Sequence, residues 1–462
     1  MNDVDLAFAP VTTLSRLLAR KEVSSAELTR LFLDRLEKLG PRLNAVAELT
    51  PDTALEQAAK ADALIAAGEP PSPLTGIPYG AKDLLATAGI PTRWGSPAHR
   101  DQVFDADATV IRKLREAGAV LVAKLAMVEL AGGGGYNTPR ASLHGPGRNP
   151  WDRKRWAGGS SSGSGAAVSA GLVPFALGSE TWGSIVTPAA FCGVTGLRPT
   201  HCLVSLHGAM PLSWQMDKVG PLARTARDCG LVLDAIAGPD RLDPTTSAVA
   251  LPGRVRPVRT LGVVEPPAGA ASPVTSEFEA ALDVLRQTGY RTVPVEIPAL
   301  PYGETADTIL NADIAAAHGD FITDRSRLRL LRDPSQRRGL RGALRITGQA
   351  YARALKERET IRLEIDRLFE RVDALVAPSL AIEAPPISST LQESFEAAGG
   401  VSVLGALCGV PENTVPMGSG PAGLPLGLSF VGPRFSDRAL IRVARTFQRH
   451  TAWHARRPPG FS

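Results

Sequence analysis

Cysteine is scarce in this chain. The 462 residues hold four thiols, Cys192, Cys202, Cys229 and Cys408, with no CxxC pair and no Cys/His group at zinc-ligand spacing. That excludes a disulfide framework and the common zinc modules. It predicts four buried free thiols in a reducing, cytoplasmic setting. Aromatic residues make up only 5%, and none interleaves with the one basic cluster, the Arg-rich stretch 325–345. A base-stacking platform is therefore unsupported. The cluster reads as a solvated face, and no nucleic-acid partner is expected despite a net charge of +5. No apolar run reaches the roughly 18 residues a membrane span needs. The opening MNDVDLAFAPV is acidic and has no basic n-region, so it does not read as a secretory signal. None of the seven histidines sits in a motif that would make it a base.

What is present is ordinary globular material, 44% hydrophobic and 21% charged. Length alone suggests two to four domains. Apolar residues spaced three and four apart predict helices over 12–20, 24–39, 52–67, 109–117, 225–238, 274–288 and 436–451, with mostly helical chain over 304–372. Ser25 is a plausible N-cap, and Ser24 stands at capping-box spacing from Glu27. Short apolar runs predict strands near 76–83, 119–123, 259–265, 290–296, 372–377 and 424–431. The segment around 166–177, broken by Pro174, reads as a buried helix followed by a strand. A loop over 244–257 introduces a more variable half, 245–462. Strands alternating with helices predict an α/β layered fold, with a largely parallel sheet buried by helices on both faces.

The chemistry concentrates in 158–200, where GGSSSGSG and GSETWGSI flank an Ala-rich run. Ser160 and Ser184 lie 24 residues apart in separate Gly/Ser turns, and Lys82 stands upstream in GIPYGAKDLL. A serine hydroxyl needs a base, and a desolvated lysine can act as one. The residues alone leave Ser160, Ser161 and Ser162 open as the link between lysine and nucleophile. Backbone N–H groups of Thr181, Trp182, Gly183 and Ser184 could converge on a carbonyl oxygen. Asp83 could hold a charged lysine or orient its loop. Pocket candidates are Met127, Gly132, Gly133, Gly134, Gly135, Tyr136, Trp182 and the segment 206–216. Each is equally explained as packing, and Trp182 as pointing into the core.

GIPYGAKD, RNPWD, GGSSSGSG, GSETWGSI and PAAFCGVTGLRPT, in this order and spacing over about 70–235, resemble the amidase signature family. Weaker similarity runs to both ends through VDALVAPS and LPLGLSFVGPRF. The resemblance implies one amidase domain over 1–462, with a mixed, mainly parallel sheet covered by helices on both faces. It implies Lys82 as base, Ser160 as bridge after a cis peptide bond, and Ser184 as nucleophile. It further implies an oxyanion hole at Thr181–Ser184 and no metal or organic cofactor. The implied substrates are small amides, aryl amides and anilides among them, with carbamates (urethanes, as in the urethanases) and esters as further options. The glutamine-hydrolysing component of a tRNA-dependent amidotransferase, its A chain, and a catalytically silent binding protein are the alternatives. A monomer or homodimer is expected. The chain departs from the family pattern at Trp182, usually Gly, at Val186, often Arg, and at Glu180, four residues before Ser184.

Overall fold

The computed structural model describes residues 1–246, 256–392, 394–395 and 401–461. Most of the expected 244–257 loop lies outside the described residues. Eleven strands build one sheet: β1 (Val46–Leu49), β2 (Pro78–Lys82), β3 (Val120–Leu125), β4 (Phe175–Glu180), β5 (Thr195–Arg198), β6 (Lys218–Ala223), β7 (Thr260–Val263), β8 (Arg291–Pro294), β9 (Ala374–Pro378), β10 (Glu412–Ser419) and β11 (Pro425–Val431). Their order is β1-β3-β2-β4-β6-β5-β10-β11-β9-β7-β8.

The sheet is mixed, as expected, but a parallel majority is absent. Parallel pairing is confined to β3-β2-β4 and β9-β7-β8. The other six contacts are antiparallel. The cause is local in part. Only a short turn joins β10 to β11, and a short turn can return the chain only antiparallel. The βαβ unit expected over 259–296 is there, with the helix Ser272–Gln287 crossing between parallel β7 and β8. Sequence reading missed β1, β5, β6 and β10.

Alternate residues of β11 show how both faces are covered. Leu428 and Phe430 pack with Phe278, Leu440 and Phe447, from helices Ser272–Gln287 and Asp437–Arg449. Gly427 faces the other way, where a Cβ would meet Ala190 Cβ at 2.7 Å. Ala190 belongs to the helix Val186–Cys192, which begins two residues after Ser184. Glycine in the strand thus lets that helix lie close against the sheet. The preceding helix, Ser162–Ser169, is buried along its whole length. Its hydroxyls are satisfied locally, Ser164 donating to the Leu177 carbonyl (2.9 Å) and Ser169 to that of Cys192 (2.7 Å).

Ser24, not Ser25, caps its helix in a complete box with Glu27, and Ser25 donates to the Gly76 carbonyl. Three thiols are buried as expected. Cys202 is instead partly exposed, because it occupies a turn at φ 68°. The Arg-rich stretch forms helices Arg325–Leu328 and Pro334–Ala343 with mostly exposed arginines, as expected. Among the described residues no helix is long and apolar enough to cross a membrane.

Candidate active site

Lys82 is the last residue of β2, a strand buried throughout because β3 and β4 flank it. Its Nζ donates to Ser160 Oγ at 2.7 Å and to Ser179 Oγ at 2.9 Å. It lies farther, 3.4 Å, from the Ser179 carbonyl. Among the described residues no carboxylate lies within ion-pairing distance of it. Burial therefore pushes its pKa down to about 7, with Asp217 and Glu180 opposing the fall from farther away. At neutral pH a large share of such an amine is uncharged and can accept a proton.

Geometry separates the three consecutive serines. Ser160 follows a cis peptide bond from Gly159 and is the one that reaches Lys82. Ser161 Oγ bonds the Ser179 backbone, at 3.2 Å to its carbonyl and 3.3 Å from its N–H. Ser162 starts a helix and turns its Oγ toward the Ala126 carbonyl at 3.5 Å.

Ser184 is buried at the start of the turn leading into the helix Val186–Cys192. The Ser161 N–H donates to its carbonyl at 3.3 Å, so the two Gly/Ser turns are tied through backbone. Among the described residues no hydrogen bond joins Ser160 Oγ to Ser184 Oγ. The N–H groups of Thr181, Trp182, Gly183 and Ser184 likewise have no acceptor among the described residues. The left-handed conformation of this turn falls on Gly183, φ 82°, and not on Trp182. Trp182 does not enter the core; it is 38% exposed.

Glu180 anchors this turn from beneath. Its Oε2 accepts the N–H of Ile185 (2.7 Å) and of Val186 (3.0 Å), while Oε1 accepts from Arg198 Nη1 at 2.7 Å. Arg198 is shared with Glu412 at 2.9 Å, and all three side chains are fully buried. Burial alone would raise the Glu180 pKa, but Arg198 and Lys218 hold it below the ordinary carboxylate value. It is thus an anion that fixes the residues just after Ser184.

A cavity of about 110 Å³ opens beside Ser179 and Thr181. Its apolar wall includes Leu84, Leu206, Met210, Leu212 and Trp214, and its polar end includes Asp217 and Lys218. The expected 206–216 segment is therefore part of the wall. Met127, Gly132, Gly133, Gly134, Gly135 and Tyr136 are not among the residues that line this cavity. Ala131, just before them, is. Met127 is fully buried in the main core. The glycine run does permit a close approach, but to the helix Pro334–Ala343: a Cβ on Gly134 would meet Leu340 at 2.7 Å, and Gln336 Nε2 donates to the Gly133 carbonyl. Tyr136 packs edge-on against Trp156 and Phe395. Asp83 pairs with Lys124 at 3.5 Å rather than with Lys82.

Ser179, Asp217, Lys218 and the Arg198–Glu412 pair were missed by sequence reading. Ser179 carried one faint signal, its place beside Glu180 at the end of an apolar strand. Lys218 and Glu412 carried none, because β6 and β10 were themselves unrecognised.

The family model described as Amidase matches residues 27–441. The A component of a glutamyl-tRNA(Gln) amidotransferase from Roseiflexus sp. (strain RS-1) is 36% identical over 473 residues, covering 96% of each chain. Among solved structures, the native peptide amidase from Stenotrophomonas maltophilia superposes with a TM-score of 0.88 at 34% identity, over 98% of this chain and 99% of that one. A bacterial aryl acylamidase of the amidase signature family superposes at 0.84 with 25% identity, over 97% of both.

Proposed function

The chain belongs to the amidase family, and we propose that it hydrolyses small amides through an acyl-enzyme on Ser184. In this reading neutral Lys82 takes a proton from Ser160, and Ser160 takes one from Ser184. The Ser184 oxygen attacks the substrate carbonyl, and the free N–H groups of 181–184 receive the developing oxyanion. The proton returns through Ser160 to the leaving amine as the C–N bond breaks. Water then repeats the route, releasing the acid. In this reading the Ser160–Ser184 link closes by side-chain rotation on substrate binding, since such contacts tighten in the Michaelis complex. No step calls on a metal or organic cofactor.

The observation that carries this reading is the 2.7 Å bond to Ser160 from a fully buried Lys82 that has no ion pair among the described residues. The apolar cavity wall favours aryl amides and anilides, and the same steps accommodate carbamates and esters. One sheet containing strands from residue 46 to residue 431 supports a single domain over 1–462. A panel of a p-nitroanilide, an aryl carbamate and glutamine, run on wild type and Ser184→Ala, tests it. Anilide or carbamate turnover lost in the variant is the expected result.

A second reading, the glutamine-hydrolysing component of an amidotransferase, draws on the 36% identical relative of that name. Glutamine turnover exceeding that of the aryl substrates would favour it. Failure of a fluorophosphonate to label Ser184, with no turnover of any substrate, would instead leave a silent binding protein.

A further inference from the structure

We infer that Lys218, with Asp217, is a positioning residue for the oxyanion-binding turn, fixing the direction of the Trp182 N–H. This rests on Ser184 acting as nucleophile. Lys218 opens β6, paired with Glu180 at the end of β4, and only 2% of it is exposed. Among the described residues its Nζ has no carboxylate within ion-pairing distance. It donates to two backbone carbonyls, Thr181 at 3.3 Å and Gly405 at 3.2 Å. Asp217 holds the same threonine from its side chain, accepting Thr181 Oγ1–H at 2.5 Å. Asp217 is itself fixed by the N–H groups of Leu212 (2.7 Å) and Ser213 (2.9 Å).

The Thr181 carbonyl and the Trp182 N–H belong to one planar peptide, and in a trans peptide they point in opposite directions. A donor on the carbonyl therefore aims the N–H away from Lys218, and the hydrogen bond also polarises the peptide so that the N–H is a better donor. The Gly183–Ser184 peptide is held in the same way, since the Thr187 N–H donates to the Gly183 carbonyl at 2.8 Å. Two of the four peptides that could offer donors to an oxyanion are thus fixed by their carbonyl ends. One is fixed by the following helix and the other by the buried amine of Lys218.

The test compares Lys218→Met, which keeps volume and removes the donor, with Lys218→Gln, which keeps an N–H donor. Both are assayed on a p-nitroanilide, together with inhibition by an arylboronic acid, whose serine adduct carries a tetrahedral oxyanion, and by the carboxylate product. Lys218→Met is expected to lower kcat by roughly 10- to 100-fold, less than outright loss of an oxyanion donor, with KM within about twofold. The boronate should weaken in step with kcat while product affinity stays. Lys218→Gln should recover most of the lost rate. A raised KM with unchanged kcat, equal weakening of boronate and product, or no recovery in Lys218→Gln would overturn the assignment. If Lys218→Met does not fold, Lys218→Gln decides alone: kcat within about tenfold of wild type supports it, and a larger loss overturns it. Ser184→Ala separates the two claims. If that variant keeps its rate, the nucleophile reading has failed, and this inference fails with it.

Discussion

Two lysines sit side by side in one sheet and do different work. Lys82 ends β2, and Lys124 lies near the end of β3, paired with Ala81 across the parallel ladder. Both side chains are fully buried. Lys124 meets a carboxylate, Asp83, at 3.5 Å and a hydroxyl, Thr92, at 2.6 Å. Lys82 meets two hydroxyls, Ser160 and Ser179, and among the described residues no carboxylate. Burial lowers both pKa values, to about 8 for Lys124, which Asp83 supports, and to about 7 for Lys82. The difference is the absent counter-ion. A contacting carboxylate converts a buried lysine into a structural ion pair, while hydroxyl partners leave it free to exchange a proton.

The largest expected effect falls on the hydroxyl-bound lysine. Lys82→Ala should lower kcat/KM by about 10³-fold or more, given a general-base contribution of that order, and Ser160→Ala should fall in the same range. Assayed on an anilide, a Lys82→Ala enzyme at wild-type rate would remove the functional side of the comparison. Lys124→Met should act on stability instead. It strands Asp83 buried and unpaired, at about 3–5 kcal/mol by urea denaturation. The folded fraction should keep its kcat, and Lys124→Met with Asp83→Asn should regain part of the loss.

The next effect is on pH. If neutral Lys82 is the base, kcat/KM rises about tenfold per pH unit below roughly 7 and levels above it. A flat profile across that range would contradict the assignment. Stability carries the same signature with a definite sign. The ordinary Lys82 pKa is 10.5, and the folded value is about 7. Between these pH values the unfolded chain binds the extra proton, so stability from this residue rises with pH through that window. Lys82→Met should flatten the slope, measured by denaturation at pH 7 and at pH 9. The smallest effect belongs to Trp182, whose ring is partly exposed. Trp182→Gly should leave stability within about 0.5 kcal/mol and shift only the ratio of aryl to alkyl amide turnover.

Much of this was legible before the structure. The helices over 24–39, 274–288 and 436–451 carried clear periodicity, and the capping box at Ser24 and Glu27 formed as spaced. The βαβ unit of 259–296 could be read because its strands and helix are adjacent in the chain. β5 and β10 were not legible. They are antiparallel neighbours in the sheet but lie more than 200 residues apart in sequence, and TGLR and ENTVPMGS lack an alternating pattern. The glycine run at 132–135 announced a close approach without naming its partner. Glycine signals that something comes close, not what comes close, and here it is the helix carrying Leu340.

By itself the sequence determined which residue types could do the chemistry: a lysine in an apolar turn, serines between glycines, and a glycine where the nucleophile turn needs a left-handed residue. Those are local properties, set by side-chain chemistry and backbone freedom. The family resemblance already pointed to Ser160 among the three serines, but only the tertiary structure decided that Asp83 goes to Lys124 and that Glu180, Arg198, Glu412 and Lys218 surround the turn. These depend on strand order and register, which bring together residues far apart in the chain. The pKa of a buried amine is set by the neighbours that this register delivers.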